Sequence, residues 1–275
     1  MKDRRFSPAP LQRLLVWLSA TAVFVLLLGL TGHILGKGLP HLKLSLFSWD
    51  YSSSNLSLLP ALLNTLYLVL LTLLMAVPAG VGGAIYLTEY AKTGRFTVRL
   101  IRLTADTLSG IPSIVYGLFG FLFFVLSLHM GNSLLAGALT LAIMVLPTIL
   151  RTAEEALQAV PTGDREGSYG LGAGRLRTVF RIVLPAAMPG ITAGIILATG
   201  RIAGETAALI YTAGTVTGRM EGLQDSGRSL AVHLYCLLNE GLYMEQAYAT
   251  AVILLLLVIG INALANAAAK GLSRR

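Results

Sequence analysis

Charged residues are scarce in this chain. They make up 12% of its 275 residues, against about 25% in a soluble globular domain. With 55% of the sequence hydrophobic, a water-soluble fold is excluded, because it would expose apolar surface that it has no means to bury. The membrane class follows. Cys236 is the single cysteine, which rules out an intrachain disulfide and a cysteine-held metal cluster. The histidines, His33, His41, His129 and His233, share no ligand spacing, so no metal site is expected. No Gly-x4-Gly-Lys-Ser/Thr stretch occurs, so the chain lacks the phosphate-cradling loop needed to hydrolyse ATP itself. No internal repeat is strong enough to indicate inverted symmetry.

What the sequence does have is long apolar stretches, near residues 14–36, 62–88, 103–128, 134–151, 187–211 and 249–269. Each approaches or exceeds the roughly 20 residues that a helical bilayer crossing needs. An all-α membrane protein with six crossings is expected. Basic residues set its orientation. Lys2, Arg4, Arg5 and Arg13 precede the first stretch, and Lys92, Arg95, Arg99 and Arg102 follow the second. Arg151, Arg165, Arg175, Arg177 and Arg181 follow the fourth, and Lys270, Arg274 and Arg275 close the chain. The opposite side carries Lys37, Lys43, Arg219 and Arg228. This asymmetry predicts cytoplasmic tails at 1–13 and 270–275, and it accounts for the net charge of +8 without a nucleic-acid partner. The apolar core of 14–36 outruns a signal-peptide core and no A-x-A-like site follows promptly, so an uncleaved signal anchor is expected.

Glycine and proline recur inside the stretches: Pro78, Gly80, Gly82 and Gly83, then Gly110, Pro112, Gly117 and Gly120, then Pro147. Two readings stand beside each other. Small residues let helices pack closely, or the breaks line a path in a bundle that moves.

The loop at 153–185 is long for a connection between crossings. Two short helices across the cytoplasmic mouth are expected, with Pro161 opening the second region and Thr162 or Asp164 as caps. Gly172 falls where a turn needs positive φ. Leu171, Leu176, Val179 and Phe180 supply apolar anchors among basic residues. Composition alone reads this as an interfacial amphipathic loop. Its spacing says more: Glu166-Gly167-Ser168, then Gly172, then Ile182-Val183-Leu184-Pro185. That pattern resembles the EAA loop by which permeases of ATP-binding-cassette (ABC) importers grip their ATPase. Gly167 and Ser168 stand where the family pattern has alanines, and both are small enough for close packing. The resemblance implies ATPase coupling through Arg165, Glu166, Gly167, Ser168 and Gly172.

Arg201 and Glu205 fall within the fifth apolar stretch. A central arginine costs on the order of 3 kcal/mol to insert, so an intramembrane pair is a functional hypothesis by default. Spacing of i, i+4 on a continuous helix puts both on one face. They then either neutralise each other as bundle support or serve an oxyanion, which a guanidinium meets with a planar fork of donors.

Two stretches carry a closer resemblance. Gly200 to Leu209 is similar to the arginine–glycine–glutamate–threonine–alanine stretch of phosphate-specific ABC permeases. Gly110-Ile111-Pro112-Ser113-Ile114-Val115-Tyr116-Gly117-Leu118-Phe119-Gly120 is similar to a segment of the same family. The likeness spans about 60–269, is weakest in the first segment, and is nearer the A-type than the C-type permease. It implies a type I importer permease core over 62–269 in a bacterial inner membrane. It also implies a heterodimer with a C-type paralogue, two cytoplasmic ATPase subunits that use ATP and Mg, and a periplasmic or extracellular phosphate-binding protein. Arg201, and less firmly Glu205, would take part in phosphate passage; no cofactor is bound by this chain. Alternatives stay open: another oxyanion or solute, a secondary transporter or channel, or a scaffold in phosphate signalling.

Of the remaining residues, Asp106 is expected to pair with Arg102, and Glu89 to mark a membrane boundary. The stretch from Thr212 to Tyr248 reads equally as a docking surface for a binding protein and as a solvated loop.

Overall fold

The computed structural model describes residues 10–49, 51, 56–91 and 94–273. The expected tails lie partly beyond these: Lys2, Arg4, Arg5, Arg274 and Arg275, and Lys92 of the second basic group, are outside the described residues. Among the described residues every regular element is helical. Five helices are long and apolar enough to cross a membrane, or six if one bent pair counts as a span.

The first helix, α1 (Pro10–Gly38), is apolar all round and none of its most apolar window is buried. It meets the last helix through its C-terminal part, where the His33 ring lies edge-on to Tyr248 and Gly38 lies against Tyr248 and Val252. Next, α2 (Leu59–Ile85) continues through a π turn at Tyr86–Tyr90. The 103–128 stretch is not a straight span. It is divided into α3 (Phe96–Ser109) and α4 (Ser113–Gly120, extended by a π turn to Ser127), which meet at 105°. Pro112 causes the break: it has no N–H to continue α3, and it biases Ile111 away from helical geometry. The Tyr116 hydroxyl then donates to the Leu108 carbonyl at 2.7 Å, tying the corner from inside.

The core is organised around α5 (Leu134–Gln158), whose most apolar window is 67% buried. Ser133 caps it by accepting from the Ala136 N–H. It runs seven residues beyond the expected 151 and so takes in the start of the loop expected at 153–185. Small residues bring its neighbours close. Gly80 and Gly83 of α2 face Ile149 and Leu150, and Gly137 faces Leu68, so α2 and α5 run parallel. The packing reading holds for these glycines, whereas Gly82 faces open space.

The 153–185 region also departs from expectation. One short helix, α6 (Thr162–Gly170), stands alone. The second, α7 (Arg175–Thr178), passes through a π turn directly into α8 (Leu184–Ala203). Gly190 and Gly194 of α8 lie against Ala156 and Thr152, so α8 is antiparallel to α5. The expected 187–211 span stops at Ala203 and resumes as α9 (Ala207–Thr212). Two helices complete the chain, α10 (Leu230–Glu240) and α11 (Met244–Ser273).

The segment after α9 is anchored to the first turns of α2 and α5, while Glu221 to Asp225 stay exposed. Asn64 donates to the carbonyls of Gly218 and Arg228 and accepts from the Met220 N–H. Arg228 is 4% exposed, with its guanidinium 4.8 Å from the Tyr51 ring. Beside it on α10, which at eleven residues is too short to cross a bilayer, His233 is 1% exposed. Burial, and then the Arg228 charge, push the imidazole down to about 3. The folded chain therefore refuses a proton that the unfolded chain accepts below its ordinary value of 6.5. Stability should fall as pH drops from 6.5 toward 3, with a limiting slope of about 1.4 kcal/mol per pH unit. Thermal midpoints across that range should show the slope in the parent and a shallower one in His233→Gln.

Candidate functional site

Two regions gather the residues singled out in the sequence. The first is the corner between α3 and α4. The Gly110–Gly120 motif builds it. Pro112 starts α4 and Tyr116 locks the turn. Gly117 lets α4 approach the Ala207 and Ala208 backbone, where a Cβ would come to 2.8 Å of Ala208 Cα. Gly120 faces Thr140 and Thr212 in the same way. The opposite face of α4, with Ile114, Val115, Leu118, Phe119 and Leu122, is exposed.

Arg201 lies in the last turn of α8 and is half-buried. Glu205 is not on the same helix face, because α8 ends at Gly204 before reaching it. Glu205 is 8% exposed, and its Oε1 accepts from the Ala208 N–H at 3.2 Å, capping α9. Among the described residues no salt bridge joins Arg201 to Glu205, and no hydrogen bond engages the Arg201 side chain. The break in α8 therefore leaves the guanidinium without the carboxylate partner that an intrahelical ion pair would have supplied.

The second region is the loop at 153–185, expected from its spacing to be the coupling loop. Here Arg165 turns inward and is 16% exposed. Its Nε and Nη2 donate to Glu89 Oε1 at 3.1 and 2.8 Å, its Nη1 to the Val160 carbonyl at 2.7 Å, and its Nη2 to the Leu157 carbonyl at 2.8 Å. One side chain thus fastens α6 to the end of α2 and satisfies carbonyls at the end of α5. Glu89, 6% exposed, is the residue that the sequence reading passed over as a boundary marker. Ser168 is buried and its hydroxyl meets that of Thr178 at 2.8 Å, joining α6 to α7. Glu166 and Gly167 face outward, with open space at the Gly167 Cβ position.

Gly172 turns the chain with φ +81°, as its position suggested. A Cβ there meets nothing, so any cost is backbone cost. Gly172→Val should lower stability by about 1–2 kcal/mol, and Gly172→Asn by less, read as thermal midpoints of the purified chain. Around this turn Leu171 is 91% exposed, and Leu176 and Phe180 are also uncovered. Ser168, Leu171, Ala173, Arg177, Arg181 and Ile182 line a recess of about 450 Å³. An exposed apolar knob thus stands beside a recess lined by two arginines.

A third cluster was misassigned from spacing. Asp106 pairs with Arg151 at 3.2 Å, not with Arg102, and Arg102 pairs with Glu154. Both bridges fasten α3 to α5, where the sequence suggested a bond within α3.

Comparison with known proteins places this geometry. Residues 76–275 match the family described as "Binding-protein-dependent transport system inner membrane component". The chain is 37% identical over 205 residues to a probable ABC transporter permease protein, YqgI, of Bacillus subtilis, covering 74% of this chain and 69% of that one. It is 44% identical over 154 residues to the phosphate transport system permease protein PstA 1 of Mycobacterium tuberculosis, covering 56% of this chain and 50% of that one. The matched part is thus half to just over two thirds of those relatives' lengths. In fold it is similar to the crystal structure of a bacterial alginate ABC transporter in complex with an alginate pentasaccharide-bound periplasmic protein. There the TM-score is 0.68 at 16% identity, over 95% of each chain. The helical bundle and the family match lead to one conclusion: the chain belongs to the binding-protein-dependent transport system inner membrane components, as a multi-pass permease of the ABC importer type.

Proposed function

We propose that this chain is the A-type permease subunit of an ATP-driven phosphate importer. The observation that carries the reading is Arg201, a permanently charged guanidinium within an apolar bundle, with no protein acceptor engaged among the described residues. A phosphate oxyanion matches its fork in charge and shape. The relative named for phosphate transport supports the same substrate. In this reading the tails and the coupling loop face the cytoplasm, and the first turns of α2 and α5 face outward. Two ATPase subunits, which bind ATP and Mg, dock at Leu171, Leu176 and Phe180. A C-type paralogue covers the exposed face of α4 and brings further cationic groups toward Arg201. A phosphate-binding protein delivers substrate at the outer end.

The mechanism then follows from the connectivity. ATPase closure moves α6 and α7; α8 continues from α7 and carries Arg201 at its far end. Glu205 keeps α9 in place while Arg201 exchanges the anion between the two sides. The test is radiolabelled phosphate uptake by this chain with its partner subunits, in cells lacking their own importer. Uptake abolished by ATP depletion, outcompeted by arsenate and not by sulfate, is the expected result. An assembled complex that moves sulfate and not phosphate would overturn the substrate, and uptake that survives ATP depletion would overturn the class.

A further inference from the structure

The helix α3 breaks a local rule. Helix N-termini favour acids, yet its first turn holds none and no side chain caps its first amides. Arg95, Arg99 and Arg102 instead fall on one face of its N-terminal half. Arg102 is engaged by Glu154 of α5. Arg95 and Arg99 are exposed and take part in no ion pair among the described residues. Together with Gly94 and Val98, the three arginines line a recess of about 430 Å³. Positive side chains gathered at the positive end of a helix repel one another and the helix dipole, and a bound anion removes that cost.

The neighbouring face indicates which anion. Phe96, Leu100 and Leu103 are exposed, about 100° round the helix from the arginines. Val98 packs on the other side, with Leu87 and Leu150. The 105° corner turns α3 across the direction of α4. A helix lying across a span, with arginines on one face and large apolar residues on the next, has the arrangement of an interfacial helix.

We propose that the N-terminal half of α3 binds the headgroup of an anionic phospholipid. Arg95 and Arg99 hold the phosphodiester oxygens, and Phe96, Leu100 and Leu103 enter the acyl layer. Free phosphate shares the headgroup's chemistry, but the uncovered apolar face beside the arginines selects the lipid. The site needs the membrane fold and does not depend on which solute is transported.

The test uses the chain assembled with its partner subunits, in nanodiscs of phosphatidylcholine doped with phosphatidylglycerol. Lipids retained on release are counted by native mass spectrometry. The parent should retain phosphatidylglycerol in preference to phosphatidylcholine. Arg95→Gln with Arg99→Gln should weaken that retention about thirtyfold, from about 1 kcal/mol per basic group at a membrane surface. Arg95→Lys with Arg99→Lys should keep most of it, and added inorganic phosphate should leave it unchanged. Equal retention by the glutamine variant would overturn the proposal. Displacement of the lipid by inorganic phosphate would also overturn it, in favour of a free-anion site. Loss of a subunit with retention per complex unchanged would assign the face to a protein contact.

Discussion

Arg165→Met is expected to destabilise the chain by about 3–5 kcal/mol, the cost of stranding one member of a buried ion pair. The magnitude follows from what is left behind. Glu89 is 6% exposed and loses both guanidinium donors, while the Leu157 and Val160 carbonyls lose theirs. Methionine fills much of the space, so the loss is electrostatic rather than a cavity. Adding Glu89→Gln to that variant should recover part of the loss, because a neutral amide is less costly to bury unpaired than a carboxylate. Thermal midpoints of the two single variants and the double variant measure the coupling. An Arg165→Met chain as stable as its parent would show that α6 is held by its other contacts, among them the Ser168–Thr178 bond.

Arg201→Ala is expected to act in the opposite sense, on transport and not on stability. Its guanidinium engages no carboxylate among the described residues, so nothing is stranded when it goes. If it supplies two charge-assisted bonds to the anion, worth about 1.5 kcal/mol each, initial uptake falls about a hundredfold. Arg201→Lys keeps the charge without the fork and should recover only part of that loss. Glu205→Gln retains a carbonyl oxygen for the Ala208 N–H and should transport nearly as well as the parent. Glu205→Ala loses the cap, at about 1 kcal/mol. Normal uptake by Arg201→Ala in an assembled complex would remove Arg201 from the substrate path.

The sequence made some of this legible. Apolar runs marked the spans because hydropathy is additive along a chain and bilayer thickness fixes their length. The turn at Gly172 was legible because positive φ selects glycine. The 105° corner was marked by Gly110 and Pro112, but a scalar hydropathy carries no angle. Charge pairing was the least legible part. Arg102–Asp106 and Arg201–Glu205 both have i, i+4 spacing, and neither forms an intrahelical pair. Such a pair contributes a few tenths of a kcal/mol on a helix surface. A stop at Gly204 or a better partner on α5 outweighs it. Glu89 and Arg165 lie 76 residues apart, and nothing local in either segment refers to the other.

Residues Arg175 to Ala203 read as one uninterrupted helix of 29 residues. At 1.5 Å per residue it is a rod about 43 Å long. Leu176 and Phe180, uncovered at one end, and Arg201 at the other belong to the same piece. A rotation of about 5° pivoting near one end of such a rod carries the other through about 4 Å, more than the reach of a hydrogen bond. If the proposed ATPase docking holds, force applied at the rod's Leu176 end needs no relay of side chains to reach the membrane interior; leverage is sufficient. The π turn at Val179–Val183, where the rod is wound most loosely, is then the point at which that leverage is stiffened or lost.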